Sequence, residues 1–412
     1  MKDIYLDASA TTPPHLDVIT KLKDIQFECW GNPSSIHKVG VIAREILERS
    51  RLSIANKLKA SSDELFFTSG ATESNYLALK AVSNNLDKGR IVISSVEHPS
   101  INLIANQLRN EGWDIKYWPV DSYGIIDLDL LEEVLSPPTK LVSIIWGQSE
   151  IGSIQPINLI GMECKKRNIL FHTDATQVLP CGLIDWSNLN VDMLSASAHK
   201  LQGPKGIGLL MLRKGIQDLL MKNPSYGFKN GSIRSGTESV PLIAGFSTAI
   251  DLLNEYIEVK DNQTLFPVNN VSKMTSRLKK NLINNKHLTF IGPDIERLPN
   301  NLSFLCHTES MIPIKGREIV RLLSKHGVYI SSGSACSSSS QGPSPILEAI
   351  NVDKIFQDSG LRITIGPWIS NDDITSVSNI IFESLQTLEP VSYTHLRAHE
   401  TPEHRVWRVL LE

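Results

Sequence analysis

Four short apolar runs, at 91–95, 140–146, 169–173 and 191–195, are each followed by a polar or glycine-containing turn, with helix-like stretches between them. Runs this short and this apolar read as buried strands. Val39, Ile42, Ile46, Leu47, Leu52, Ile54 and Leu58 recur at roughly helical spacing within 38–60, and 157–168 reads as a helix leading into the strand that holds Asp174. Strands alternating with helices imply an α/β fold with a mainly parallel sheet and helical crossovers. Ligands of such sheets bind beyond the carboxyl ends of the strands. The 412 residues exceed what one compact core holds, so two domains are expected. The larger is 1–255 and the smaller, α+β, is 256–389. The composition shift that separates them, at 255–270, reads as helical. Residues 1–15 are expected to pack on the smaller domain.

The remaining composition excludes several classes. A net charge of −3 gives no electrostatic case for nucleic acid or an anionic membrane. Cys29, Cys164, Cys181, Cys306 and Cys336 are odd in number and widely spaced, which argues against a disulfide framework or a zinc site and suits a reducing cytosol. The opening MKDIYLDASATTPP has no apolar stretch of signal-peptide type, and no run approaches the ~20 residues that span a bilayer. A cytoplasmic location is expected. The last stretch, 390–412, is rich in His and Arg with no clear face. It resembles the translation of a sequencing adapter and is read as a non-native tail.

The chemistry concentrates in a few loops. In HTDATQ (172–177) an acid, Asp174, stands at a strand end, and in SASAHK (195–200) a lysine, Lys200, follows 26 residues later in a polar loop after the next strand. Alone, an aspartate there is usually a turn or cap and a lysine is usually solvated. Together they suit pyridoxal phosphate: the lysine forms a Schiff base with the cofactor aldehyde, and the acid keeps the pyridine nitrogen protonated so that the ring acts as an electron sink. In FFTSGATESN (66–75) a strand ends at Ser69-Gly70-Ala71-Thr72 and a helix begins. Backbone N–H groups at a helix start, with Ser and Thr hydroxyls, make a seat for phosphate, the alternative being a plain cap. His98, in SVEHPS (95–100), follows a strand and is either a surface cap or a ring that stacks on a flat cofactor and moves protons. Cys336 sits in the Gly/Ser run YISSGSACSSSSQGPSP (329–345). Structural cysteines normally lie among apolar residues, so this one reads as a nucleophile, or as an incidental residue of a linker.

Taken in order, GNPSSIH (31–37), SGATESN, VEHPS, EIG (150–152), DATQ, SAHK with GPKGIG, RSGT (234–237), SGSACSS and Arg362 resemble the cysteine desulfurases of the NifS/IscS kind, from about residue 5 to 366. The resemblance implies the type I fold of pyridoxal-phosphate enzymes, with a seven-stranded, mainly parallel sheet. It implies that Lys200 carries the cofactor, Asp174 meets its pyridine nitrogen, and Gln177 its phenolic oxygen. Ala71, Thr72, Ser197 and His199 would hold the phosphate, and His98 would stack on the ring and shuttle protons. Thr237 would reach the phosphate of a partner subunit in a homodimer, and Asn32 and Arg362 the substrate carboxylate. Cys336, on a mobile loop (331–345), would take the sulfur of L-cysteine as a persulfide, leaving alanine. The persulfide would pass to an acceptor protein serving iron–sulfur clusters, tRNA thiolation or DNA sulfur modification. One position departs from the pattern: Ser149 stands where the family has an asparagine that contacts the phenolic oxygen. Two other readings share these motifs. One is another pyridoxal-phosphate enzyme of the same fold, a selenocysteine lyase or aminotransferase-like member, which has no need of Cys336. The other is a weakened scaffold that binds partners.

Overall fold

The structure is a computed structural model that describes residues 3–220, 234, 236–260, 263–333 and 343–387. Its strands are, in chain order, β1 (Ile4–Tyr5), β2 (Leu65–Thr68), β3 (Arg90–Ser94), β4 (Asp114–Trp118), β5 (Thr139–Ile145), β6 (Leu170–Asp174) and β7 (Met193–Ser197), then β8 (Gly208–Leu212), β9 (Glu258–Lys260), β10 (Gln263–Leu265), β11 (Leu288–Phe290), β12 (Asn301–Cys306), β13 (Val328–Tyr329) and β14 (Gly360–Thr364). The first four α-helices are α1 (Leu16–Glu28), α2 (Lys38–Lys57), α3 (Ala71–Asn85) and α4 (Pro99–Asn110).

Seven strands form the central sheet in the order β2-β8-β7-β6-β5-β3-β4. β4, β3, β5, β6 and β7 run parallel, while β8 runs antiparallel to both its neighbours. The mainly parallel sheet expected from the sequence is therefore present, with the seven strands that the resemblance implies. Its strands read as continuous apolar runs because both faces are covered. Val92, Val142, Leu209 and Met211 face one hydrophobic cluster, and their strand neighbours Ile91, Ile93, Leu141, Leu210 and Leu212 face the other. Helices supply the covers. α2 buries Ala43, Leu47 and Ile54 on one stripe, and α3 and α4 close the opposite face with Leu79, Val82, Ile104 and Leu108.

A second, three-stranded antiparallel sheet has the order β11-β12-β14. Leu302, Phe304, Leu361 and Ile363 from its strands join Ile319 and Leu323 of helix Gly316–Lys325 and Val377, Ile381 and Leu385 of helix Asn371–Thr387 in a separate core. The start of the chain belongs to this core: Ile4 and Leu6 are part of it, and β1 pairs in parallel with β13.

One stretch differs from expectation. The segment after 255, read as helical, contains the antiparallel pair β9 and β10. Val259 and Thr264, directly opposed across the pair, are β-branched and half-buried between exposed neighbours, a period of two that outweighs the polar composition. The helix starts only at Asn270, where Asn269 and Ser272 form a capping box.

Candidate active site

A cavity of about 470 Å³ opens at the carboxyl ends of the central strands. The loop after β2 contributes Ser69 to Glu73, the loop after β3 His98, and the loop after β5 Ser149. β6 contributes Asp174 and, just beyond, Gln177; β7 and its loop contribute Ser197, His199 and Lys200; the chain start adds Ala10 and Thr11. Ala71, Thr72, His98, Ser149, Asp174, Gln177, Ser197, His199 and Lys200 are thus brought together. The site falls where a parallel sheet leaves its strand ends open.

Asp174 ends β6 and is almost fully buried. Its two oxygens each accept one hydrogen bond, Oδ1 from Thr176 N–H at 2.9 Å and Oδ2 from the Asn75 amide at 2.8 Å, so the carboxylate is fixed in orientation. Behind it lies Glu97, also buried, whose Oε1 accepts from Ser94 Oγ and from Ile145 N–H. Burial, reinforced by the nearby Asp174, pushes the Glu97 carboxyl up to about 8.

Lys200 lies in a short 3-10 turn after β7. Its Nζ donates to the carbonyl oxygens of Ser9 and Ala10, the second at 2.8 Å. Gln177 Nε2 donates to the same Ser9 oxygen at 3.0 Å. The Thr11 hydroxyl is 3.1 Å from His199 Nδ1, and the Thr12 N–H donates to the His199 carbonyl. The chain start is therefore a strap across the site. Burial, with the charges of Lys200 and Lys205, pulls His199 down to about 4, so near neutrality its ring is uncharged.

Opposite Lys200, α3 begins at Ala71 with Gly70 as its N-cap and no side-chain cap. Gly70 has φ of 155°, which favours glycine, and Gly208 on β8 approaches it so closely that a Cβ on Gly208 would lie 2.7 Å from the Gly70 Cα. Ser197 Oγ stands beside the same residue, within van der Waals reach of a Cβ built there. An uncapped helix start with a hydroxyl beside it is a seat for an anion. Glu73 in the first turn accepts from Ser69 N–H and pairs with Arg234 at 3.1 Å.

Three residues expected at the site do not line the cavity. Asn32 is exposed, and its Oδ1 accepts from Ser34 N–H in a local turn. Thr237 is exposed beside a smaller neighbouring cavity of about 120 Å³. Arg362 is buried on β14 and its Nη2 donates to Asp7. Cys336 and the tail 390–412 lie outside the described residues. The sequence reading missed Asn75, the strap carbonyls of Ser9 and Ala10, and Asp7. Asn75 was inside the quoted SGATESN, but a polar residue within a helix carries no signal of its own partner.

Residues 4–377 match the family Aminotransferase class-V. A cysteine desulfurase IscS of Methanosarcina thermophila is 36% identical over 394 residues, covering 95% of this chain and 94% of its own length. The chain belongs to the cysteine desulfurases of that family. Enzymes of the family use pyridoxal phosphate. Among solved structures, a NifS-like protein matches with a TM-score of 0.79 at 30% identity, over 94% of this chain and 100% of its own. SspA in complex with cysteine matches with a TM-score of 0.75 at 30% identity, over 89% and 99%. Among the described residues no cluster of metal-ligating side chains occurs, and no helix is long and apolar enough to cross a membrane.

Proposed function

We propose that this desulfurase binds pyridoxal phosphate in the 470 Å³ cavity and passes the sulfur of L-cysteine to Cys336. The observation that carries the reading is that Lys200, the buried carboxylate of Asp174 and the uncapped start of α3 line one cavity. Those three features match the aldehyde, the pyridine nitrogen and the phosphate of the cofactor. When bound, the cofactor withdraws electrons from the substrate's α-carbon.

The chain's own residues do the rest. Ala71, Thr72, Ser197 and His199 would hold the phosphate. His98 would stack on the cofactor ring, and Gln177 and Ser149 would meet its phenolic oxygen. Lys200 would hold the cofactor and take the α-proton of the substrate. By the resemblance Arg362 and Asn32 would hold the substrate carboxylate, although neither lines the cavity in this chain. Cys336 would attack the substrate sulfur: a sulfur–sulfur bond forms, the carbon–sulfur bond breaks with its electron pair going to the β-carbon, which takes a proton, and the α-carbon regains the proton that Lys200 removed, giving alanine. Cys29, Cys164, Cys181 and Cys306 are all buried, and burial pushes their thiols up, Cys181 and Cys306 to about 12, which favours Cys336 as the nucleophile.

The same reading takes 1–255 as the cofactor-binding unit and 256–389 as the smaller one. The protein works as a cytoplasmic homodimer that hands its persulfide to an acceptor protein serving iron–sulfur clusters, tRNA thiolation or DNA sulfur modification. The test is L-cysteine with a thiol reductant. Alanine and sulfide form in equal amounts, and Cys336→Ser abolishes both while the protein keeps its yellow colour. Borohydride reduction and peptide mapping place the cofactor on Lys200. A label on Lys205, or full activity in Cys336→Ser, overturns the reading.

A further inference from the structure

A chain of hydrogen bonds joins the floor of the cavity to its wall. Asn75, fully buried in α3, gives away both hydrogens of its side-chain amide: one to Asp174 Oδ2 at 2.8 Å and one to Ser100 Oγ at 3.0 Å. Ser100 Oγ lies 2.8 Å from His98 Nδ1, and the Ser100 N–H donates to that same nitrogen at 3.2 Å as His98 caps α4. Asp174, Asn75, Ser100 and His98 form one series.

Each link has a fixed direction. The Asn75 amide cannot turn end for end, because its oxygen would then face the Asp174 carboxylate, and both groups are acceptors. As it stands, Oδ1 is buried without a hydrogen-bond partner. A buried acceptor left unsatisfied is unfavourable, so the two groups that the amide serves set its orientation. Ser100 Oγ accepts from Asn75 and has one hydrogen left to give, with His98 Nδ1 in reach. The backbone N–H of Ser100 can only donate. His98 Nδ1 therefore accepts from two donors and carries no proton of its own. In the neutral ring the proton is on Nε2.

We propose that Asn75 and Ser100 are positioning residues that hold His98 as its Nε2–H tautomer and tie the orientation of its ring to that of Asp174. Applied to the cavity as a cofactor site, this rests on the function proposed above; the tautomer itself does not. His98 meets the cavity as a hydrogen-bond donor. Its one basic nitrogen is turned into the start of α4, so it cannot take a proton from a bound substrate without breaking the cap. That leaves Lys200 as the base and narrows His98 to donating and orienting.

The experiment has two arms. The first is long-range proton–nitrogen NMR of the full chain with 15N-labelled histidine, with and without pyridoxal phosphate, the His98 signals being those lost in His98→Asn. At pH 8 the expected pattern is an unprotonated Nδ1 and a protonated Nε2 in both samples. A protonated Nδ1 overturns the proposal. The second arm is kinetic. Ser100→Ala lowers kcat roughly tenfold, the scale of a partly disarranged proton-transfer or donor group, with KM for L-cysteine unchanged, and Ser100→Thr restores it. Asn75→Ala lowers kcat as well, and the double variant is no worse than the poorer single one, because both cut the same series. Effects that multiply as independent changes, or a Ser100→Ala enzyme with wild-type kcat, overturn the link. Should Asn75→Ala fail to fold, the Ser100 pair still decides. Failure of the functional reading itself shows separately, as absence of a borohydride label on Lys200 with the first arm unaffected.

Discussion

Arg362 donates through Nη2 to Asp7 Oδ1 at 2.7 Å, with its own side chain only 2% exposed and that of Asp7 17%. The contact ties the chain start to β14, and Ala8 and Ser9 continue it by donating to the carbonyl and the hydroxyl of Thr364. Two residues beyond Asp7, the Ser9 carbonyl meets Lys200. The strap therefore connects the residue expected to hold the substrate carboxylate with the one expected to hold the cofactor. Removing one partner of such a buried pair strands the other charge, at a cost of about 3–5 kcal/mol. Asp7→Ala is expected to lower unfolding stability by that order, and Asp7→Asn, which keeps an acceptor, by less. Urea unfolding of the three proteins checks this. A change below about 1 kcal/mol in Asp7→Ala, the range of an exposed pair, would show that this contact does not anchor the strap.

What could be read from the sequence follows from what is local. Asp174, Lys200 and the start of α3 were legible because each ends a short apolar run, and a parallel sheet gathers such ends at one edge. The lysine and aspartate gained meaning only as a pair. Asn75 was not legible, because its role depends on β6 and α4 arriving beside it, at separations of 99 and 25 residues. The strap was hidden for another reason: it acts through the carbonyls of Ser9 and Ala10, which every residue type supplies. At β9 and β10 composition misled, since two short strands among polar residues leave little apolar pattern to count. Arg362 was placed by resemblance alone, and its partner Asp7 lies 355 residues away.

Ser149 is the position where the sequence departs from the motif pattern it resembles. Its carbonyl accepts from Asn301 Nδ2 at 3.1 Å, which fixes the backbone at the cavity edge, and its side chain is short. Gln177, the other residue on that side, already donates to the Ser9 carbonyl. A hydrogen bond to a charged oxygen is worth about 1.5–3 kcal/mol. Ser149→Asn is therefore expected to tighten pyridoxal phosphate by about tenfold or more and to move the pH at which the protein's colour changes. Gln177→Ala should loosen the cofactor and disturb the strap. Equilibrium dialysis and a spectroscopic pH titration of the three proteins test this. Superimposable curves for wild type and Ser149→Asn would mean that the serine already serves in place of the asparagine.

Thr237 stands exposed next to Gly206, outside the lining of its own chain's main cavity. The proposed reach of Thr237 to the cofactor phosphate of a partner subunit predicts a dimer in sedimentation. Thr237→Ala is expected to weaken cofactor retention without dissociating that dimer. A monomer with full cofactor occupancy contradicts the assignment.

Glu97 offers a test of the buried polar layer that is independent of catalysis. Its Oε2 is buried without a hydrogen-bond partner, and burial, aided by Asp174, raises its carboxyl from 4.5 to about 8. The folded chain thus binds this proton more tightly than the unfolded chain does. The resulting stability is complete below pH 4.5 and is lost as pH rises through about 8. Glu97→Gln keeps the shape and the acceptor facing Ile145 N–H but has no proton to lose. The advantage of wild type over this variant should therefore be greatest at pH 4–5, shrink steadily towards pH 8 and reach its minimum above it, a total change on the order of a few kcal/mol. Comparing the two proteins removes the contributions of His172 and His199, which both share and which burial pulls down to about 4. Urea midpoints at intervals from pH 5 to 9 measure the difference directly. Parallel curves, or a wild type that gains on the variant as pH rises, would show that Glu97 is ionised in the folded protein and that the layer around Asp174 carries a second negative charge.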